Sequence, residues 1–293
     1  MQTKFTANSM LVLVTLFWGF SYLFMKMGLN FIQEYNLIAL RFGIAFFLAA
    51  AIFPTRLLQA NKKTIGYAFI LGFILFLVFS CIIFGIKTTS TSNAAFLVSL
   101  TVIFVPILTA TITKKAPEIK VMVGVGFALL GVGLLTLNNQ FIVNFGDLLC
   151  IAGALLYATH IIVTEKLTKE VDSINLGIIQ LGFTGALGLI FSLFLEMPRF
   201  PITAQEWLPV LVLSILCSAI GFIVQTVAQQ HTTSTNTGLI FSLEPVFAAL
   251  FAFLFLGEMF STQGLLGAML VLFGVIYSQA NWKPLVLPSS FPK

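Results

Sequence analysis

Charge is what this chain has least of. Asp, Glu, Lys and Arg together make up 9% of its 293 residues, against roughly a quarter in a soluble domain. Apolar residues make up 59%, and mean hydropathy is +1.05. A water-soluble fold of this length would have to leave much of that apolar area facing water. Cysteine is scarce as well. Cys81, Cys150 and Cys217 all lie inside apolar runs, and the number is odd, so no disulfide framework is implied. Phosphate-cradling loops are missing. Gly124-Val-Gly126 lacks a third glycine and a preceding strand, and no G-x-x-x-x-G-K-[ST] occurs. ATP hydrolysis by this chain is not expected. No His, Cys, Asp or Glu cluster has metal-ligand spacing, and no nucleophile–base pair is recognisable. The sequence therefore calls for no cofactor and no catalytic residue. No cleavable signal is read at the start, where the first apolar run is too long for one.

What is present is a series of apolar runs: 9–28, 36–53, 65–86, 93–113, 119–137, 146–167, 174–195, 208–229, 236–256 and 262–280. Each has about the length a helix needs to cross a bilayer. The gaps are short and carry breakers such as Pro54, Pro117, Pro198 and Pro201. With the N-terminus in the cytoplasm, eleven of the 15 Lys and Arg fall in inside segments, three (Lys26, Lys87, Arg199) fall outside, and Arg41 lies within the second run. The net charge of +5 thus reads as a topology signal with both termini inside, not as a nucleic-acid surface.

The chain also resembles itself. Thr89-Ser-Thr-Ser-Asn93 and Thr232-Thr-Ser-Thr-Asn236 stand 143 residues apart, as do Gly124 and Gly267, and Gly131 and Gly274. Nearer the N-terminus the offset is 139, which pairs Trp18 with Tyr157, Ser21 with His160, and Arg41 with Gln180. Five helices repeating as five must enter the membrane from opposite sides. The expectation is an all-α integral membrane protein of ten helices. It comprises two inverted five-helix repeats, residues 1–140 and 141–293, as in many secondary transporters.

The motifs carry a family resemblance. Phe17-Trp-Gly19 with Ser21, Leu40-Arg-Phe42, Thr88 to Ala95, Ser242-Leu-Glu-Pro-Val246 and Leu256-Gly-Glu258 are similar to those of the drug/metabolite transporter superfamily, in particular its EamA-type ten-helix members. The resemblance covers nearly the whole chain. The first half departs from it by carrying Lys114-Lys115 where the second has Leu-Gly-Glu. It implies export or exchange of amino acids, other metabolites or toxic compounds without ATP hydrolysis.

Ionisable groups inside a membrane are costly, so each is a candidate. Arg41 could pair a substrate carboxylate, or make a structural ion pair or snorkel to the interface. Glu244, before the kinking Pro245, could bind a proton or a cationic group, or hold the fold through Arg41 or a helix terminus. Tyr157 and His160 form a polar-aromatic stripe with Cys150, Gly153 and Thr164. Trp18, Ser21 and Tyr22 form the corresponding stripe on the first helix, and both suit a cavity wall. His160 could be proton-linked. Gln180 mates with Arg41, while Ser214, Ser218, Gly221 and Gln225 give the eighth helix one polar face. The expected cavity is therefore lopsided toward the second half. Asn93 and Asn236 read as N-caps, Lys87 and His231 as solvated, and the glycines of the fifth and tenth helices as close-packing sites. Expected partners are a small-molecule substrate, the bilayer and a candidate coupling proton, without nucleic acid, in a monomer or homodimer. The competing readings are a membrane enzyme acting on lipid or a lipid-linked substrate, and a non-transporting scaffold or sensor.

Overall fold

The computed structural model describes residues 2–89, 91–136, 144–256 and 262–279. The described residues are helical, with no strand among them. In chain order the helices are α1 (Gln2–Gly19), α2 (Ser21–Leu29), α3 (Glu34–Ile52), α4 (Pro54–Leu58), α5 (Lys62–Thr88), α6 (Thr91–Ser99), α7 (Thr101–Thr113), α8 (Ile119–Thr136), α9 (Phe145–Leu167), α10 (Ser173–Leu195) and α11 (Ala204–Val212). A π-helix (Leu213–Ile220) follows, then α12 (Gly221–Gln229), α13 (Ser234–Phe241), α14 (Glu244–Leu256) and α15 (Thr262–Gln279). Seven spans are long and apolar enough to cross a membrane, and Ile119–Leu134 and Thr262–Ser278 are shorter apolar helices. Side chains such as Phe47, Phe194 and Phe273 are exposed, as contact with acyl chains requires.

Four of the expected runs are not straight helices. The first breaks at Phe20, between α1 and α2. The fourth breaks at Leu100, where the Ser99 and Thr101 hydroxyls donate back to the carbonyls of Ala95 and Val98 and compete with the helical ladder. The ninth breaks at Ser242–Leu243. Pro245 has no N–H to give the Phe241 carbonyl, and Ser242 Oγ turns back to Leu239 O at 2.6 Å. The eighth widens into the π-helix, an element that often marks functional sites.

Helix starts are held by side chains. Asn144 and Asp147 form a capping box on α9, Asp172 caps α10, and Thr203 caps α11. Asn236 is not the cap expected of it. Thr233 caps α13, and Asn236 instead donates its amide to Asn8 Oδ1 at 2.8 Å. Asn93 stands inside α6, and its side chain lies outside the described residues, as do Gly257 and Glu258.

The closest helix pairs are α8 with α15, α3 with α10, and α5 with α9. Glycine makes the α8–α15 crossing possible. A Cβ on Gly124 would stand 2.7 Å from Gly274 O, and one on Gly131 would stand 2.5 Å from Gly267 O. Both obstacles are backbone and cannot rotate away. Polar contacts near the helix ends also come in pairs. Thr89 Oγ1 donates to Asp147 Oδ1 at 2.5 Å, and Thr232 Oγ1 to Asn8 Oδ1 at 3.3 Å. Thr232 follows Thr89 by 143 residues, and Asp147 follows Asn8 by 139.

The two faces of the bundle differ. Where the start of α1 meets the ends of α7, α9 and α15 and the start of α13, a vestibule of about 1480 Å³ opens. The opposite face is tied shut. Glu196 accepts the backbone N–H groups of Tyr35 and Asn36 at 2.8 Å each, Arg199 donates to Phe31 O, and Lys87 pairs with Glu34. Lys87 is therefore not merely solvated, whereas His231 is exposed.

Candidate functional site

Deep to the vestibule lies a small cavity of about 30 Å³. Trp18, Ser21, Tyr22 and Met25 reach it from α1 and α2, and Arg41 from α3. Val78, Phe79 and Ile82 of α5 and Val98 of α6 form its apolar wall. Tyr157, Phe222 and Glu244 complete it from the second half of the chain. The break at Phe20 places the cavity residues Ser21, Tyr22 and Met25 on their own short helix. The break before Glu244 places that carboxylate in the first turn of α14, where the helix dipole favours a negative charge.

Arg41 is fully buried. Its Nε donates to Ser218 Oγ at 2.6 Å, and its guanidinium carbon sits 4.3 Å from the Phe79 ring centroid, a cation–π distance. Its Nη1 has no hydrogen-bond partner in the protein. It does not reach the interface, and it makes no ion pair with Glu244, although both line the cavity. The contact it does make, to Ser218, ties the third helix to the π-helix of the second half. A buried guanidinium with an idle donor is a ready receptor for a carboxylate or similar anion.

Trp18 is the hinge of the aromatic wall. Its ring lies 4.9 Å from Phe241, 5.2 Å from Phe222 and 5.9 Å from Tyr157. Its Nε1 donates to Cys217 O at 2.8 Å, a carbonyl inside the π-helix. The same π-helix supplies Ser218 to Arg41, so its altered winding serves both residues. Phe241 packs on Trp18 and Tyr157 while its neighbour Ile240 lines the vestibule. This aromatic layer separates the two spaces.

Of the residues singled out in the sequence, Trp18, Ser21, Tyr22, Arg41, Tyr157 and Glu244 line the cavity. Ser218 touches it only through Arg41. His160, Gln180 and Gln225 stand behind it, fully buried. His160 Nε2 meets Gln180 Oε1 at 3.0 Å, and Gln225 Nε2 donates to Gln229 Oε1 at 2.8 Å. The polar face of the eighth helix thus does not form the cavity wall in this conformation, and the lopsidedness runs toward the first half. Sequence reasoning missed Phe79 and Phe222, although the 143-residue offset pairs them. The three cysteines are free thiols. Among the described residues no His, Cys, Asp and Glu group could hold a metal ion.

A bundle of helices apolar and long enough to cross a membrane, packed around a small cavity lined by the buried Arg41, defines the class of multi-pass membrane proteins. The family model of the EamA-like transporters matches residues 5–137 and again 144–278, and the chain belongs to that family. It is a transporter and not an enzyme. A protein of Archaeoglobus fulgidus named as an uncharacterized transporter is 28% identical over 287 residues, covering 93% of this chain and 96% of the relative. The Bacillus subtilis uncharacterized transporter YyaM is 24% identical over 282 residues, covering 91% of each. A solved structure titled "Crystal structure of protein" shares the fold with a TM-score of 0.78 at 17% identity, covering 94% of this chain and 96% of that one.

Proposed function

We propose that the chain is a secondary transporter that exports or exchanges small organic solutes across the plasma membrane by alternating access around the Arg41 cavity. The carrying observation is the idle Nη1 of Arg41 in a small aromatic-lined cavity that also holds Glu244. The solute has an anionic group for Arg41 and an apolar part for Phe79, Ile82 and Val98, which amino acids and lipophilic metabolites satisfy. Glu244 is the candidate for a coupling proton or for the ammonium of a zwitterion.

The architecture we infer is ten spans in two inverted repeats, 1–140 and 141–293, with both termini cytoplasmic. The excess of Lys and Arg on one side supports it. So do the reciprocal crossing of Gly124 with Gly274 and Gly131 with Gly267, and the paired contacts of Thr89 and Thr232. On this reading the vestibule opens to the cytoplasm, and either a monomer or a homodimer would function. The test is uptake and counterflow in sealed proteoliposomes of the purified protein, using the twenty common amino acids, short organic anions and a lipophilic cation. Saturable flux of at least one solute, lost in Arg41→Leu, is expected. Absence of flux for the whole panel counts against the reading.

A further inference from the structure

The cavity residues have repeat mates. At an offset of 139, Ser21, Met25 and Arg41 map to His160, Thr164 and Gln180; at 143, Ile82 maps to Gln225. Trp18 and Tyr157, and Phe79 and Phe222, are likewise mates, but both members of each of these pairs line the cavity. The cavity thus surrounds the meeting of the two halves and extends mainly into the first; Glu244 is its one lining residue from the second half whose mate, Thr101, lies outside it. The mates in the second half are closed over and fully buried.

Those closed-over mates are polar, and each keeps one side-chain atom unsatisfied. His160 Nδ1, Thr164 Oγ1, Gln180 Nε2 and Gln225 Oε1 have no partner in the protein. Such groups are rarely left so. The direction of one chain is fixed. Gln229 Nε2 donates to Ile161 O at 2.9 Å, so Gln229 Oε1 accepts from Gln225, and Gln225 Oε1 is left as an acceptor. Gln180 leaves a donor. A mixed set of donors and acceptors suits a neutral hydrogen-bonding group such as a hydroxyl, an amide or water, and does not suit a bare cation.

We infer that His160, Thr164, Gln180 and Gln225 form a second half-site, which opens when the bundle switches to face away from the vestibule and then holds neutral polar groups of the solute. The inference rests on the alternating-access reading. Inverted halves exchange conformations when access is exchanged, so a pocket built on the first half in one state is built on the second half in the other. Its signature is crossed access. Met25 lies near the end of α2, away from the vestibule, yet lines the cavity deep to it. Thr164 lies one residue from Glu165 of the vestibule wall, yet it would be reached from the opposite face.

The experiment is thiol labelling with a membrane-impermeant methanethiosulfonate in oriented vesicles, on Met25→Cys and Thr164→Cys. Both are made in Cys81→Ser, because Cys81 is only half-buried; that parent, with Cys150 and Cys217 buried, sets the background, because buried thiols are inert. Ile82→Cys and Gln225→Cys are a second mated pair, to be used where the first does not fold. The expected result is labelling about tenfold over background, for Met25→Cys from the vestibule face and for Thr164→Cys from the other. Labelling of Met25→Cys alone, or of both from one face, overturns the half-site and leaves the transporter reading standing. If neither position labels from either face, the alternating-access reading itself fails.

Discussion

Arg41 and Gln180 occupy the same place in their halves, and their surroundings differ in one instructive way. Arg41 is charged, sits on an open cavity and is held by a residue of the other half, Ser218 of the π-helix. Gln180 is neutral, closed over and held by His160, a residue of its own half. The first junction places a buried charge where a solute can answer it. The second carries neutral groups that can be desolvated in one state and satisfied in another without a charge being stranded. A protein that alternates between two such junctions needs at least one of them to tolerate burial while empty, because burying an unpaired ion is far costlier than burying an unpaired amide.

The largest expected effect comes from erasing the difference on the first side. Arg41→Leu removes the group proposed to meet the solute anion. Losing one partner of a buried charged contact costs about 2–5 kcal/mol, which is at least about thirtyfold in affinity. Flux of anionic or zwitterionic solutes in proteoliposomes should fall by that much or more. The melting temperature should change little, because replacing a buried ion by an apolar side chain is often close to neutral for stability. Normal flux in this variant breaks the comparison at its root.

Next is Ser218→Ala. It leaves Arg41 Nε without its 2.6 Å partner, and a hydrogen bond to a charged group is worth about 1.5–3 kcal/mol. A lower melting temperature is expected, with recovery in Ser218→Thr. The second junction predicts the opposite sign. Thr164→Val deletes an oxygen that has no partner in the protein, so the variant should gain about 1 kcal/mol. The gain is read as a raised melting temperature in detergent. A loss there would mean that ordered water already satisfies Thr164.

Much of this contrast was legible in the sequence. The offset of 139 pairs Arg41 with Gln180 and Ser21 with His160 before any coordinates are considered, and small residues at the α8–α15 crossing follow from spacing alone. Which mates face a common space was not legible, because a residue's place in the repeat does not say which junction is open. The π-helix was also hidden. Residues 213–220 carry no proline or glycine, and widened turns arise from tertiary contacts, here those that Cys217 O and Ser218 make with Trp18 and Arg41. Asn236 reads as a cap, but Thr233, three residues earlier, is also a favoured cap residue and takes that place, while Asn8 gives the Asn236 amide a partner across the bundle.

The smallest expected effect concerns how the halves are tied at the vestibule face. Lys63 and Tyr67 of the first half both reach Glu170 of the second, at 2.9 and 2.7 Å. The hydrogen bond from Lys63, and then that from Tyr67, hold the Glu170 carboxyl below its ordinary value. A carboxyl lowered in the folded state adds stability above its unfolded value and loses it as pH falls through the folded one. Glu170→Gln should therefore lower the melting temperature slightly at neutral pH, by the modest amount an exposed pair contributes. The gap from the wild type should close as pH drops below 4.5, the ordinary value for this group. Salt should narrow it as well, since exposed pairs are screened. A gap that persists unchanged in acid and in high salt would mean that the tie between the halves owes nothing to the charge of Glu170, and that the shape and hydrogen bonding of its side chain hold Lys63 and Tyr67 in place.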